Sequence, residues 1–368
     1  MPKVAFNNLK WSFNIPSKVF EDVRDSGQFI LGENVKTLES AIAKTLNLKD
    51  AVGVANGTDA LELALRSVGV KEKDLVATVA NSAVPTTVAI EKIGAVPAFV
   101  DVEKNGLMDL YELREVLSSL KVKAIVPVHL YGQMVNMQSL SVVARAYQVP
   151  IVEDAAQAYN IGTDLGMYSE AVALSFYPTK ILGAMGDGGM VVSNHKWVTK
   201  IVRQMRTYGL GADGMQEMWG CNSRLDELQA AIVLENMKGF IAKQNTLRNI
   251  ANHYFDHLPK QLLHRKPSGP NNWHLFTIVV GDREYFQRRL LNLGVETSIH
   301  YKYPAYFHTN SFSFKGKMDM TGKLANHILS IPCWYGMTLQ DVEYVTECVT
   351  TLFESNPDNF TPKELING

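Results

Sequence analysis

Short apolar runs recur through the first half of the chain, each parted from the next by a stretch with helical spacing. Residues 75–80, 96–100, 123–128, 149–152, 171–176 and 189–193 are the runs. They are too short for buried helices and are fenced by turn residues, which marks them as strands. Residues 84–93, 109–120 and 137–147 lie between them and read as helices. Strands apolar on both faces must be covered on both sides, and parallel neighbours need crossovers that helices supply. The alternation therefore predicts an α/β fold around a mostly parallel central sheet. Ligand sites are expected at the carboxyl ends of its strands.

Ahead of this block, residues 11–26 read as a helical N-terminal arm and 35–46 as a helix. Residues 51–55 form a further apolar run, followed by a helix opening at Gly57-Thr58, with Thr58 or Asp59 as its cap. Beyond it, 197–205, 224–238 and 241–258 are helical in spacing. The pattern then changes near Lys266-Pro267-Ser268-Gly269-Pro270. Strands at 275–280 and 295–300 and helices at 284–293 and 341–353 suit a smaller α+β C-terminal domain. The expected division is 1–245 for the large domain with its arm and 246–368 for the small one.

Charge narrows the function classes. Thirty-six Lys and Arg against 37 Asp and Glu leave a formal net charge of -1, so no field for nucleic acid or a membrane surface is expected. No apolar run is long enough to span a bilayer, and the N-terminus is too polar for a signal peptide. Three scattered cysteines, Cys221, Cys333 and Cys348, predict neither structural disulfides nor a zinc site. A cytoplasmic location follows.

The chemistry concentrates in one loop. Ser175-Phe176-Tyr177-Pro178-Thr179-Lys180 runs into Gly186-Asp187-Gly188-Gly189, setting one lysine in a glycine-bounded turn between two strands. Burial there lowers an ammonium pKa, as an imine-forming amine requires. A surface lysine in an ordinary turn is the plainer reading. Asp154 ends another run and suits a pyridinium nitrogen, or else a strand-end salt bridge or cap. The helix start at Gly57-Thr58 presents free N–H groups to an anion, and Ser175 offers a hydroxyl to the same phosphate.

Five motifs then stand in order: Gly57-Thr58-Asp59-Ala60-Leu61, Glu153-Asp154-Ala155-Ala156-Gln157, Ser175 to Lys180, Gly186 to Gly189, and Asn222-Ser223-Arg224-Leu225-Asp226-Glu227. Together they resemble the DegT/DnrJ/EryC1/StrS family of sugar aminotransferases over essentially the whole chain. The resemblance implies the fold type I of transferases dependent on pyridoxal 5'-phosphate. It implies that Lys180 carries the cofactor as an imine and moves the proton, that Asp154 pairs with the ring nitrogen, and that Gln157 lies by the ring oxygen. Gly57, Thr58 and Ser175 would hold the phosphate with Asn222 of a partner subunit. Arg224 would meet the donor carboxylate, and His300 and Tyr301 would reach the substrate of the neighbouring subunit. A homodimer with shared sites is implied, with glutamate and a nucleotide-linked keto sugar as substrates. The segment Gln28-Phe29-Ile30-Leu31-Gly32 resembles the branch that aminates carbon 3 of dTDP-keto-6-deoxyhexoses on the way to surface polysaccharide. A 4-aminotransferase and a non-catalytic regulatory protein that keeps the cofactor are the alternatives. A nicotinamide oxidoreductase lacks its early glycine fingerprint.

The chain also departs from the family. Ala83 stands where many members place a ring-stacking aromatic, which leaves that face to another group such as Asn81. The segments after Tyr301 and around Pro332-Cys333-Trp334-Tyr335 are unusual as well. His253 and His257 have metal-compatible spacing but no third ligand. Arg203 and Arg206 are expected on a solvated helix face, and Met134 and Met137 in packing.

Overall fold

The computed structural model describes residues 3–160, 162, 164–263, 269–309, 311–314 and 318–366, without the side chains of Trp11, Ser12, Phe314 and Ile366. The expected boundary segment at 266–268 lies outside them. Among the described residues there are ten strands: β1 (Asp50–Val54), β2 (Leu75–Val79), β3 (Val96–Val100), β4 (Val122–Val126), β5 (Val152–Asp154), β6 (Ala171–Ser175), β7 (Gly189–Ser193), β8 (Phe276–Val279), β9 (Ser313–Phe314) and β10 (Ile328–Ile331).

Two ladders, β1-β7-β6-β5 and β4-β2-β3-β9, are joined by parallel bridges Ile125–Ile151 and Val128–Asp154. The result is one sheet in which only β7 runs against its neighbours. Its strands are buried along nearly their whole length, as the uniformly apolar runs required. Helix Gly57–Ser67 packs Leu61, Ala64 and Leu65 against one face with Val52, Val76 and Val191. On the other, Leu113, Val116, Leu140 and Val143 meet Ala77, Val79 and Ala98.

This arrangement brings three strand ends together. β1 runs into helix Gly57–Ser67, β5 ends on Asp154 and β6 ends on Ser175. Gly189 sits opposite both Val54 and Ser175 in the two ladders. A Cβ there would stand 2.2 Å from the Asn56 carbonyl oxygen, so only glycine lets the backbone pass.

The smaller sheet pairs β8 with β10 and gains single bridges at Leu263–Ile278 and Ser298–Ser330. Residues 295–300 are therefore no regular strand. The missing strand is β10, a four-residue run that follows helix Asp319–His327 directly and so carries no turn signal of its own. The N-terminal arm is two helices, Leu9–Ser12 and Ser17–Ser26. Pro16 parts them because a residue before proline is driven out of helical geometry. Helix Glu227–Lys238 begins three residues later than expected, which leaves Arg224 in a loop. Arg206 is 6% exposed and donates to Glu39 at 2.6 Å and the Gly53 carbonyl at 2.7 Å. Arg203 pairs with Asp50 and Glu39. The expected solvated face is thus an ion-pair network locking helix Lys196–Met205, and Arg206 at its end, to β1.

Candidate active site

Gly57, Thr58, Asp154, Gln157, Ser175 and Lys180 line one cavity of ≈ 580 Å³, with Ser82, Ala83, Thr86, Tyr177 and Asp187. His300 and Tyr301 line a second, of ≈ 310 Å³, with Phe6, His274 and Trp334. Lys180, Gln157 and Tyr177 belong to both, so His300 and Tyr301 share a cavity with the Lys180 of their own chain, where the resemblance pointed them at a neighbouring subunit's substrate. Asn222 and Arg224 line a third cavity of ≈ 530 Å³. Within one chain it reaches the first only through Asp187.

The phosphate end is built by backbone. Helix Gly57–Ser67 is capped by Asn56, whose side chain accepts from the Asp59 N–H at 2.8 Å. The cap is therefore two residues ahead of the expected Thr58 and three ahead of Asp59. Asp59 instead receives Lys92 and the Ser223 hydroxyl, both at 2.7 Å, tying the loop of Asn222 and Arg224 to the helix start. A Cβ on Gly57 would lie 2.7 Å from the Ser175 Cβ. Glycine here keeps the helix N-terminus and the Ser175 hydroxyl facing one small space, a site of positive potential for an anion.

Lys180 sits in a turn closed by its own N–H to the Tyr177 carbonyl at 2.8 Å and by Ala184 to Phe176 at 2.7 Å. The residue is half-buried and lines both of the first two cavities. Burial lowers the ammonium below its ordinary 10.5, and Asp154 offsets this in part. Desolvating a cation costs several kcal/mol, and an attraction that is not a direct ion pair recovers less than that. An amine of lowered basicity in a cavity is chemically suited to nucleophilic attack and proton transfer.

Asp154 is 8% exposed. Its Oδ2 accepts from Thr86 Oγ1 at 2.8 Å and its Oδ1 from the Ala156 N–H at 3.1 Å. Beside it, Glu153 is fully buried and holds His129 at 2.8 Å. The His129 Nδ1 accepts the Val135 N–H, so Nε2 carries the proton. Gln157 is held at both ends: Oε1 accepts the Tyr131 N–H at 2.7 Å, and Nε2 donates to Tyr301 Oη at 2.9 Å. Tyr131 Oη then donates to the His300 carbonyl at 2.5 Å. Burial raises the Tyr301 phenol to about 12, so it keeps its proton at neutral pH and acts as a hydrogen-bond donor.

His300 has its Nδ1 2.8 Å from Ser330 Oγ and a ring stacked on Phe6. Burial, aided by the charge of Lys180, brings its imidazole down to about 4. It is a neutral group at physiological pH. A folded-state value under the ordinary 6.5 means that the unfolded chain binds the proton first, so this residue subtracts stability as pH falls from 6.5 towards 4. Histidine NMR should show no titration of this ring between pH 8 and 5. A midpoint near 6.5 would contradict the burial argument.

Thr86 and His274 escaped the sequence reading. Threonine in a first helical turn ordinarily bonds its own backbone, so nothing marked Thr86. His274 is pushed well below its usual range by burial and by Lys180, His300 and Lys243. Only the fold puts it there. Asn81 lies beside Gly106 and Tyr131 and not on the first cavity, whose corresponding wall is Ser82, Ala83 and Pro85. Among the described residues no cluster of His, Cys, Asp and Glu could hold a metal. No helix there is long and apolar enough to cross a membrane.

The sequence pattern of the DegT/DnrJ/EryC1/StrS aminotransferase family matches residues 16–350. A dTDP-3-amino-3,4,6-trideoxy-alpha-D-glucose transaminase from Micromonospora megalomicea subsp. nigra is 39% identical over 353 residues, 89% of this chain and 92% of its own length. A dTDP-3-amino-3,6-dideoxy-alpha-D-galactopyranose transaminase from Aneurinibacillus thermoaerophilus is 34% identical, across 93% of this chain and 96% of its own. Among solved structures, S. venezuelae DesV in complex with a ketimine intermediate superposes with a TM-score of 0.91 at 30% identity, covering 96% of this chain and 99% of that one.

Proposed function

Because this chain belongs to the DegT/DnrJ/EryC1/StrS aminotransferase family, with the type I fold, we propose that it moves an amino group from glutamate to carbon 3 of a dTDP-linked keto-6-deoxyhexose. The observation that carries this reading is Lys180, an amine of lowered basicity shared by two cavities with the buried carboxylate of Asp154 in one of them. The relatives named above act on 3-amino dTDP sugars. Ala83 supports the same branch, since it leaves room above the cofactor for a sugar.

The residues fit pyridoxal 5'-phosphate. The Gly57–Ser175 cradle admits no Cβ and suits a phosphate. Asp154 offers a fixed anion for the ring nitrogen, and Gln157, held at both ends, suits the ring oxygen. When bound, that cofactor supplies an electron sink for the carbon that exchanges its proton. The chain does the rest. Lys180 Nζ takes and returns that proton, and the neutral His300 and protonated Tyr301 bind sugar hydroxyls without charge.

Three further points belong to the same proposal. The active unit is a homodimer in which Asn222 and Arg224 serve the neighbouring site. The chain divides at 245/246, inside helix Phe240–His257. Its location is the cytoplasm.

Offering 3-keto and 4-keto dTDP-hexoses separately with glutamate, and identifying the aminated carbon by NMR, tests the substrate. Amination at carbon 3 is expected. Amination at carbon 4 alone would overturn the carbon assignment. No loss of cofactor absorbance with glutamate would point to the regulatory reading.

A further inference from the structure

Two hydroxyls in the first cavity form a chain that ends on a carboxylate 68 residues beyond the nearer of them in sequence. Thr86 and Ser82 are each 2% exposed. Thr86 Oγ1 donates to Asp154 Oδ2 at 2.8 Å, and Ser82 Oγ lies 2.7 Å from Thr86 Oγ1. The direction of the chain follows by elimination. A carboxylate oxygen only accepts, so the single Thr86 proton goes to Asp154 and its oxygen is left to accept. Ser82 is therefore the donor, its other acceptor, the Ala83 carbonyl, being farther at 3.4 Å. Both O–H dipoles point at Asp154, and such chains strengthen one another.

The next residue shows that this is no default of the helix. Thr87, also buried, bonds the Val84 carbonyl of its own turn at 2.9 Å. Thr86 forgoes that bond and reaches β5. With Thr86 on Oδ2 and the Ala156 N–H on Oδ1, the carboxylate plane is pinned at both oxygens.

Resting on the functional reading above, we propose that Thr86, backed by Ser82, is a positioning residue: it fixes the Asp154 carboxylate toward the ring nitrogen of pyridoxal phosphate. A ring nitrogen less firmly protonated withdraws fewer electrons from the nitrogen conjugated to it on Lys180. Loosening the relay therefore raises the pH at which the bound cofactor changes its visible absorbance.

The test uses the holoenzyme in wild-type form and as Thr86→Val, Thr86→Ser, Ser82→Ala and Asp154→Asn. Absorbance is titrated with pH, and the half-reaction with glutamate is followed in a single turnover. Thr86→Val should move the absorbance midpoint up and slow the half-reaction about tenfold, the loss of one charge-assisted hydrogen bond. Half-saturation for glutamate should hold within about twofold, since the relay does not bind the donor. Thr86→Ser should restore midpoint and rate, and Ser82→Ala should shift the midpoint less, in the same direction. A wild-type midpoint and rate in Thr86→Val, beside a collapsed Asp154→Asn, would overturn the relay and leave the functional reading standing. A wild-type Asp154→Asn would overturn that reading itself. Should Thr86→Val fail to fold, Ser82→Ala decides: an unmoved midpoint defeats the proposal.

Discussion

Lys180→Ala is expected to lose at least about a thousandfold in turnover, because on the proposed function it deletes the group that carries the proton in both halves of the reaction. Borohydride reduction of the wild-type holoenzyme should fix label on Lys180 and on no other lysine. The variant should take none. Stability should move the other way. Burial lowers the Lys180 ammonium, so ordering it as a cation costs free energy that alanine does not incur. The sign follows from linkage: between the lowered folded-state value and the ordinary 10.5, the unfolded chain binds more protons. Wild-type apoprotein therefore gains stability as pH rises through that window, and the variant lacks this slope. Melting of both apoproteins across alkaline pH checks it. A variant less stable than wild type, or a label elsewhere, would sink the assignment.

The parts of this site legible in the sequence are those where a chain rule is broken. Lys180 is a cation between buried strands. Asp154 is a carboxylate at the end of one, and Gly57 stands where a helix starts against Ser175. Each breaks the local apolar pattern, and such breaks in a consistent fold mark function. The sheet was legible for the opposite reason: its strands are apolar on both faces and must be covered.

What stayed hidden depends on partners remote in sequence. Thr86 has the composition of any first-turn threonine, and only β5 lying across from it reveals its task. Arg206 reads as a surface residue until Glu39 and the Gly53 carbonyl close on it. β10 abuts a helix without a turn, so its apolar run merges with the helical spacing before it. The cap of helix Gly57–Ser67 lies two residues before Thr58 and three before Asp59; Asn56, Thr58 and Asp59 can all cap, and local sequence does not choose among them. Asp59 is withdrawn from capping by Lys92 and Ser223, contacts set by the tertiary fold.

Arg224 and Asn222 raise the remaining question, since the structure sets them in a cavity of their own. Among the described residues no carboxylate pairs with Arg224; its guanidinium lies 5.9 Å from the Tyr208 ring. An arginine lining a cavity without an internal anion is suited to one that arrives from elsewhere. On the dimer proposal it meets the donor carboxylate at the neighbouring subunit's Lys180, and the double variant Asn222→Ala with Arg224→Ala should be as inactive as Lys180→Ala. Each variant alone then spoils every site it forms, but the two defects lie on opposite sides of a shared site. Mixing equal amounts and letting subunits exchange gives about half mixed dimers, each with one intact site, so roughly a quarter of wild-type activity should return. Subunit exchange is confirmed by mass spectrometry of differently tagged chains. Continued inactivity of proven mixed dimers would place Asn222 and Arg224 at their own subunit's chemistry, and the shared-site proposal would fall.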